Sequence, residues 1–371
     1  MASLPPAPTP SPTRSPRPGG SAEPPRSGFP GAEGARRRGR PTLRDVAALA
    51  GVSFKTVSRV VNDEPGVSPA LADRVRAAAD ELGYRPNAAA TALRRADGRT
   101  ATLGVLLEDA GNPFFANLLR GIEDVARGRG VAVFSSSTDL DLSRERDMAA
   151  AFTARQVDAL IAAPTESRAD HLHRAKSQGA RVVLVDRPVE GLDAPVVLVD
   201  NISGARIGVE HLLARGHRRI GYIGRDPSIY TSRGRYAGYV EALASAGIEL
   251  DPALVRREGA TRSSARDHVE QLLDLEDPPT ALFTAQDLIT MTAVSVLQRR
   301  GLSERVGLVG FDDFELADLL APGVTVVAQD PRRIGALAAE LALDPAGTGV
   351  HLVPTELIAR GSGEIPAPRV H

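Results

Sequence analysis

The chain has 371 residues and no cysteine, which allows two or three domains with substantial cores and excludes disulfides, a thiolate metal site and a cysteine nucleophile. It is 42% hydrophobic and 25% charged, ordinary for a soluble globular protein. No apolar run spans a bilayer and the N-terminus lacks the apolar core of a signal peptide, so a cytoplasmic protein is expected, with no membrane partner.

The formal net charge is −1, so any binding to nucleic acid must rest on how charge is distributed. Residues 1–40 hold seven Arg against two Glu, within a stretch rich in Pro, Ser, Gly and Ala. A segment with so few large apolar groups cannot offset its ordering entropy, so a disordered tail is expected there. Its basic end either adds attraction to phosphates or is inert.

From Thr42 to Asn62 the sequence TLRDVAALAGVSFKTVSRVVN reads as two short helices joined by a tight turn. Val46, Ala47, Leu49 and Ala50 put apolar groups on one face of the first helix. Gly51 supplies the turn, where a left-handed backbone costs glycine little, and Ser53 is a good N-cap. Val57, Val60 and Val61 recur at helical spacing and face the first helix, leaving Phe54, Lys55, Ser58 and Arg59 outward. A helix-turn-helix places the start of its second helix in the DNA major groove, so those outward side chains are candidates for bases and phosphates. An ordinary helical hairpin inside a larger core is the other reading of the same pattern.

Ser68 or Pro69 starts a third helix, with Leu71, Val75, Ala78, Ala79 and Leu82 as its apolar stripe, closed by Gly83 and Pro86. Asn87 to Thr100 is Ala-rich but too short to hold a helix alone. It reads as a linker that becomes helical only when supported. From Thr102 the chain alternates apolar strands with helices: TLGVLL, VAVFSSS, ALIAAP, RVVLVD, VVLVD, IGYIG, LVRREG, ALFTA and VGLVGFDD. That pattern indicates parallel sheets covered on both faces, and there are enough units for two doubly wound subdomains. Ligands in such folds bind at the carboxyl ends of the strands. The strand-end residues here are polar: Asn112, Thr165, Asp186, Arg187, Asp200, Gln286, Asp312 and Asp313.

These motifs together resemble the lactose-repressor family of bacterial transcription regulators. The resemblance is carried by DVAALAGVS–TVSRVVN, LGYRPNAAATALR, NPFF, VEHLLARGHRRIGYIG, RGRYAGY, VGLVGFDD, VAQDP and LVPTELIARGSG, and covers Thr42 to about Gly363. It implies an α/β fold class: an all-α helix-turn-helix head on a periplasmic-binding-protein-like core of two doubly wound parallel-sheet subdomains, joined by three crossovers. The expected division is a tail at 1–40, the head at 41–86, a hinge helix at 87–99, an effector-binding and dimerisation domain at 100–363, and a C-terminal tail at 364–371.

The resemblance also implies roles. Phe54, Lys55 and Arg59 fall where the family reads bases, and a good bidentate pair to guanine discriminates by about 1–3 kcal/mol. Thr42, Ser53, Thr56, Ser58 and Asn62 are candidates for phosphate contacts or caps. Asn87, Ala90 and Leu93 fall on the hinge helix, Leu93 as the wedge between central base pairs and Ala90 as the small residue that allows close approach. In the cleft, Asp186, Arg235, Gln286 and Asp312 match polar ligand contacts, with Phe114 and Phe115 as an apolar wall. Carboxylate, guanidinium and carboxamide groups suit a ligand with many hydroxyls.

Two departures stand out: Gln286 where the family usually has Asn, and EGATRSS, which carries no aromatic ring after Gly259. The expected function is a homodimeric repressor that binds a palindromic double-stranded operator under control of a sugar-like effector. A non-sugar effector or a protein corepressor is the alternative. No GxxxxGK[ST], GxSxG or strand-placed GxGxxG is present, so no enzyme activity, catalytic residue, cofactor or metal is expected. His171 and His173 read as surface residues of a helix.

Overall fold

The computed structural model describes residues 41–62, 64–85, 99–258, 262–344 and 346–369. They fall into two compact units that divide between residues 86 and 87. The tail, the hinge positions Asn87, Ala90 and Leu93, and the ringless segment Gly259–Ala260–Thr261 lie outside the described residues.

The first unit holds three helices: α1 (Leu43–Ala50), α2 (Phe54–Val61) and α3 (Pro69–Glu81). Thr42 starts α1 reciprocally. Its N–H donates to Asp45 Oδ2 (2.7 Å), and its hydroxyl oxygen accepts from the Asp45 N–H (3.4 Å). Gly51 turns the chain with φ of 64°, and Ser53 Oγ accepts from the Thr56 N–H (3.1 Å) to open α2. Val46, Val57 and Val75, one from each helix, are fully buried, with Ala47, Ala50, Val60, Ala72 and Ala78 around them. Leu49 corrects the expectation: it is 45% exposed, because the buried face of α1 runs through 46, 47 and 50.

The second unit is built on two six-stranded sheets. Its first half contains β1 (Thr102–Leu107), α4 (Pro113–Gly128), β2 (Ala132–Ser137), α5 (Leu142–Ala154), β3 (Ala159–Ala162), α6 (Asp170–Ser177), β4 (Arg181–Val185) and β5 (Val196–Val199). The second half follows with α7 (Asn201–Ala214), β6 (Ile220–Ile223), α8 (Tyr230–Ser245), β7 (Val255–Arg256), α9 (Arg262–Leu273), β8 (Ala281–Thr284), α10 (Asp287–Arg299), β9 (Gly307–Phe311) and β10 (Thr325–Ala328). The chain then returns with α11 (Pro331–Leu343) and β11 (Val350–Val353) before ending on β12 (Glu356–Ile358).

The first sheet has the order β11-β5-β4-β3-β1-β2, all parallel. The second has the order β12-β10-β9-β8-β6-β7, parallel except for β12 against β10. The chain therefore passes between the halves three times: from β5 to α7, from β10 to α11, and from β11 to β12.

An apolar cluster fills each face of each sheet. Two helix pairs meet backbone to backbone, which only glycine permits. A Cβ on Gly121 of α4 would lie 2.2 Å from the Arg332 carbonyl oxygen, and one on Gly335 of α11 would lie 2.0 Å from that of Leu118. Gly238 does the same for α8 on α7, where a Cβ would sit 2.2 Å from the Ile202 carbonyl.

The C-terminal segment is tied to the second half through residue 367. Ser362 Oγ donates to Leu308 O (2.6 Å), Thr325 Oγ1 donates to Glu364 (2.7 Å), and the Ala367 N–H donates to Arg215 O (3.0 Å). Among the described residues no helix is long and apolar enough to cross a membrane.

Candidate functional site

Two surfaces present the residues singled out in the sequence. On the head, the first turn of α2 presents Phe54, 50% exposed, and Lys55, also exposed. Thr56, Ser58, Arg59 and Asn62 are half-buried. The hydroxyls of Ser53 and Thr56 hydrogen-bond each other (2.9 Å), and Asn62 Nδ2 donates to Ser58 Oγ (3.3 Å). These polar side chains thus hold the two ends of α2. Lys55 and Arg59 make no ion pair among the described residues.

In the second unit a cleft forms where the carboxyl ends of the strands of both halves converge. Glu108 follows β1, Asp186 and Arg187 follow β4, Arg225 follows β6, Gln286 follows β8, Asp312 follows β9 and Gln329 follows β10. Asn112, Phe114 and Phe115 line it from the start of α4, and Thr231, Ser232 and Arg235 from α8.

Arg235 is buried and fully engaged. Its Nε donates to Asn201 Oδ1 (2.8 Å), and its Nη1 donates to Ala285 O (2.7 Å) and Asp312 Oδ2 (3.0 Å). Its guanidinium carbon lies 3.8 Å from the centre of the Phe311 ring. Gln329 donates to Asp312 from the other side. In the first half Arg187 donates to Glu108, to Asp186 (3.1 Å) and to Pro164 O (3.2 Å).

Two contacts join the halves across the cleft: Arg225 Nη2 with Glu108 Oε1 (2.7 Å), and Asn112 Nδ2 donating to Asp287 Oδ1 (3.4 Å). The pocket between them has a volume of about 30 Å³.

Burial shapes the titration of these groups. It pushes the Asp186 carboxyl up, despite Arg187 beside it. Burial and the neighbouring Asp312 charge push Asp287 up to about 6. For Arg187, burial opposes the charge, but Asp186 and Glu108 outweigh it and raise its pKa. Gln286 Oε1, Asp287 Oδ2 and Arg225 Nε are buried with no hydrogen-bond partner in the protein. Of these, Gln286 and Arg225 line the cleft, one acceptor and one donor left unmatched, a set that a hydroxyl-bearing ligand can satisfy. The hydroxyl of Ser232 donates to Arg225 O (2.7 Å) and so is not aimed at a base.

The structure brings Phe114, Asp186, Arg235, Gln286 and Asp312 together in this cleft. Phe115 also lines it, but it is only 4% exposed and forms part of the apolar core under α4. Asp313 points elsewhere, held by two bonds from Arg360 (2.6 and 2.8 Å). Asp200 caps α7 and Thr165 donates its N–H to Glu145.

His171 corrects the sequence reading. It is buried, with Nε2 2.7 Å from Glu145 Oε1, so it belongs to the packing of α5 on α6. Sequence reasoning missed Glu108 and Arg225 altogether; a charged residue one or two places past an apolar strand is the signal that finds them. Asn201 and Gln329 sit at crossovers and carried no local sign.

Residues 42–87 match the family model for bacterial regulatory proteins of the lacI family, and residues 209–363 match the periplasmic binding protein-like domain. Over 328 residues the chain is 33% identical to the HTH-type transcriptional repressor CytR of Escherichia coli (strain K12), which spans 86% of this chain and 96% of that one. The chain belongs to the lacI family.

Members of the family that it matches are DNA-binding transcriptional repressors. Solved structures agree with the fold. The Lac repressor dimer bound to operator and the anti-inducer ONPF aligns over 88% of this chain and 99% of that one, at 27% identity with a TM-score of 0.76. The transcriptional regulator CelR–cellobiose complex aligns over 87% and 100%, at 32% identity with a TM-score of 0.64.

Proposed function

We propose that this lacI-family protein is a repressor whose grip on a palindromic operator is set by a carbohydrate-like effector bound between the two α/β halves. One observation carries the DNA-binding part. The second helix of the head buries Val57 and Val60 while turning Phe54 and Lys55 outward at its first turn, the end that enters a major groove. Phe54, Lys55 and Arg59 are assigned to base contacts. Thr42, Ser53, Thr56, Ser58 and Asn62 are assigned to phosphates, reached by groups that also order the helix ends. Asn87, Ala90 and Leu93 are assigned to a hinge helix in the minor groove, paired with its copy in a homodimer.

The effector part rests on the cleft. Asp186, Arg235 and Asp312 offer charged groups and Gln286 a carboxamide beside the Phe114 ring, and the unmatched Gln286 Oε1 and Arg225 Nε ask for one donor and one acceptor. A neutral polyol meets that demand. A relative solved with cellobiose supports the same ligand class. Effector binding acts by preferring one relative orientation of the halves, and so changes operator affinity by its differential affinity for the two states.

The test is footprinting and anisotropy on palindromes from the protein's own promoter region, across a salt series and a panel of neutral sugars. The expected result is a two-fold symmetric footprint, strong salt dependence, and a change in affinity with one sugar class. No footprint under any ligand condition would end the proposal.

A further inference from the structure

We propose that Glu108 and Arg225 form a latch that favours the closed form of the effector cleft. Three observations converge on it. First, the pair joins the two halves directly, at 2.7 Å, with side chains only 10% and 15% exposed. Glu108 also accepts from Arg187 of its own half, so one carboxylate pairs with a guanidinium group from each wall.

Second, the shut cleft leaves a cavity of about 30 Å³, while pockets for small ligands start at about 300 Å³. A sugar seated between these walls needs them further apart, and so exchanges its own contacts for this ion pair.

Third, the pair stands where leverage is greatest. The crossovers leave the first sheet at β5 and β11 and meet the second at β10 and β12, the first two places in each strand order. Glu108 and Arg225 follow β1 and β6, the fifth places. That is three strand spacings from the second place, about 14 Å at about 4.8 Å each. Rotation about the crossovers separates this pair further than it separates Asp186 from Asp312, which follow the third strands.

Asn112 and Asp287 add a weaker bridge across the same cleft, at 3.4 Å. A single ion-pair contact at the end of the lever, Arg225 Nη2 with Glu108 Oε1, is of the size that biases the closed state by about ten-fold. The regulatory meaning of the latch rests on the cleft being the effector site; its existence does not.

The absence of cysteine in the chain makes the test direct. Spin labels are placed on Arg168→Cys in the first half and Ser228→Cys in the second, both exposed positions. The labelled full-length protein is diluted with excess unlabelled chain, and inter-label distances are measured by pulsed electron resonance without DNA or sugar.

The expected result is a single short distance in the parent protein. Arg225→Met and Glu108→Gln should raise the open-to-closed ratio about ten-fold, and Arg225→Lys should keep most of the short population. A wild-type distribution in folded Arg225→Met, checked by circular dichroism, overturns the latch; so does a mainly long distance in the parent. If Arg225→Met fails to fold, Glu108→Gln decides alone. Because neither DNA nor effector is present, a protein that ignores every operator still answers this question.

Discussion

Asp186 and Asp312 occupy matching places in the two halves of the core. Each follows the third strand of its sheet, and each adopts a left-handed backbone, with φ of 66° and 74°. Each donates its N–H to a carbonyl of the neighbouring strand, Asp186 to Val197 O (3.1 Å) and Asp312 to Val327 O (2.9 Å). The two halves thus present a carboxylate to the cleft by the same backbone device.

That device makes substitutions at Asp312 separable. Asparagine tolerates a left-handed backbone, so Asp312→Asn removes the charge without adding strain. It leaves the buried Arg235 guanidinium less well paired and should cost about 1–3 kcal/mol. Asp312→Ala should cost about 1 kcal/mol more, from the backbone. Urea midpoints of the two variants check the order; equal stabilities would mean that the positive φ carries no cost.

Gly335 and Gly128 should respond oppositely to alanine. At Gly335 the new methyl group meets backbone of α4 at 2.0 Å, so the helices must move apart, at a cost of about 2 kcal/mol or more. At Gly128 nothing lies within 4 Å, so alanine should stabilise α4 by about 0.5–1 kcal/mol. Thermal unfolding of the two single variants reads both signs.

Lys55 and Val57 separate contact from folding in the head. Lys55 is exposed, so Lys55→Ala should leave stability within about 0.5 kcal/mol and weaken specific operator binding by about 1–3 kcal/mol. Val57 is fully buried, so Val57→Ala should destabilise the head by about 1–3 kcal/mol and weaken binding to every sequence alike. Anisotropy titrations on operator and on scrambled duplex, beside circular dichroism melts, distinguish the two.

Asp287 gives the cleft a pH dependence of known sign. Its folded-state pKa of about 6 lies above the ordinary 3.8, so the folded protein holds this proton more tightly than the unfolded chain. The stability it contributes is fully present below pH 3.8 and is lost as pH rises through about 6. Asp287→Asn keeps the acceptor used by the Leu288 N–H and cannot titrate. The gain in stability of this variant over the parent should grow between pH 4 and pH 7, by on the order of 2 kcal/mol. A constant difference across that range would remove Asp287 as a titrating group.

Much of this fold is legible in the sequence because buried parallel strands are written as unbroken apolar runs. TLGVLL, RVVLV and GLVGF all became strands, and the α2 pattern of Val57 and Val60 gave the head. The reading assigned no element to residues 325–358. There the strands β10, β11 and β12 are three or four residues long, and α11 packs on a sheet whose other strands lie far earlier in the chain. Site residues were legible where one strand end announces them, as with Asp186 and Asp312. Glu108 and Arg225 have meaning only as a pair, and their pairing depends on how the halves are joined. His171 was misread because its partner Glu145 sits on another helix, and an HxH spacing says nothing of that.

The late return of α11 and β11 to the first half governs the order in which the protein can be made. The ribosome delivers β1 to β5 early, yet Ile334, Ala338 and Leu341, which help cover one face of that sheet, and Val353 on its last strand emerge only after β6 to β10 of the second half. Until then the nascent first half carries an apolar face that α4 covers only in part, and an unpaired strand edge. Synthesis that stalls near residue 330 would yield a sticky fragment with an intact head, and growing cells must fold this protein as one piece or discard it.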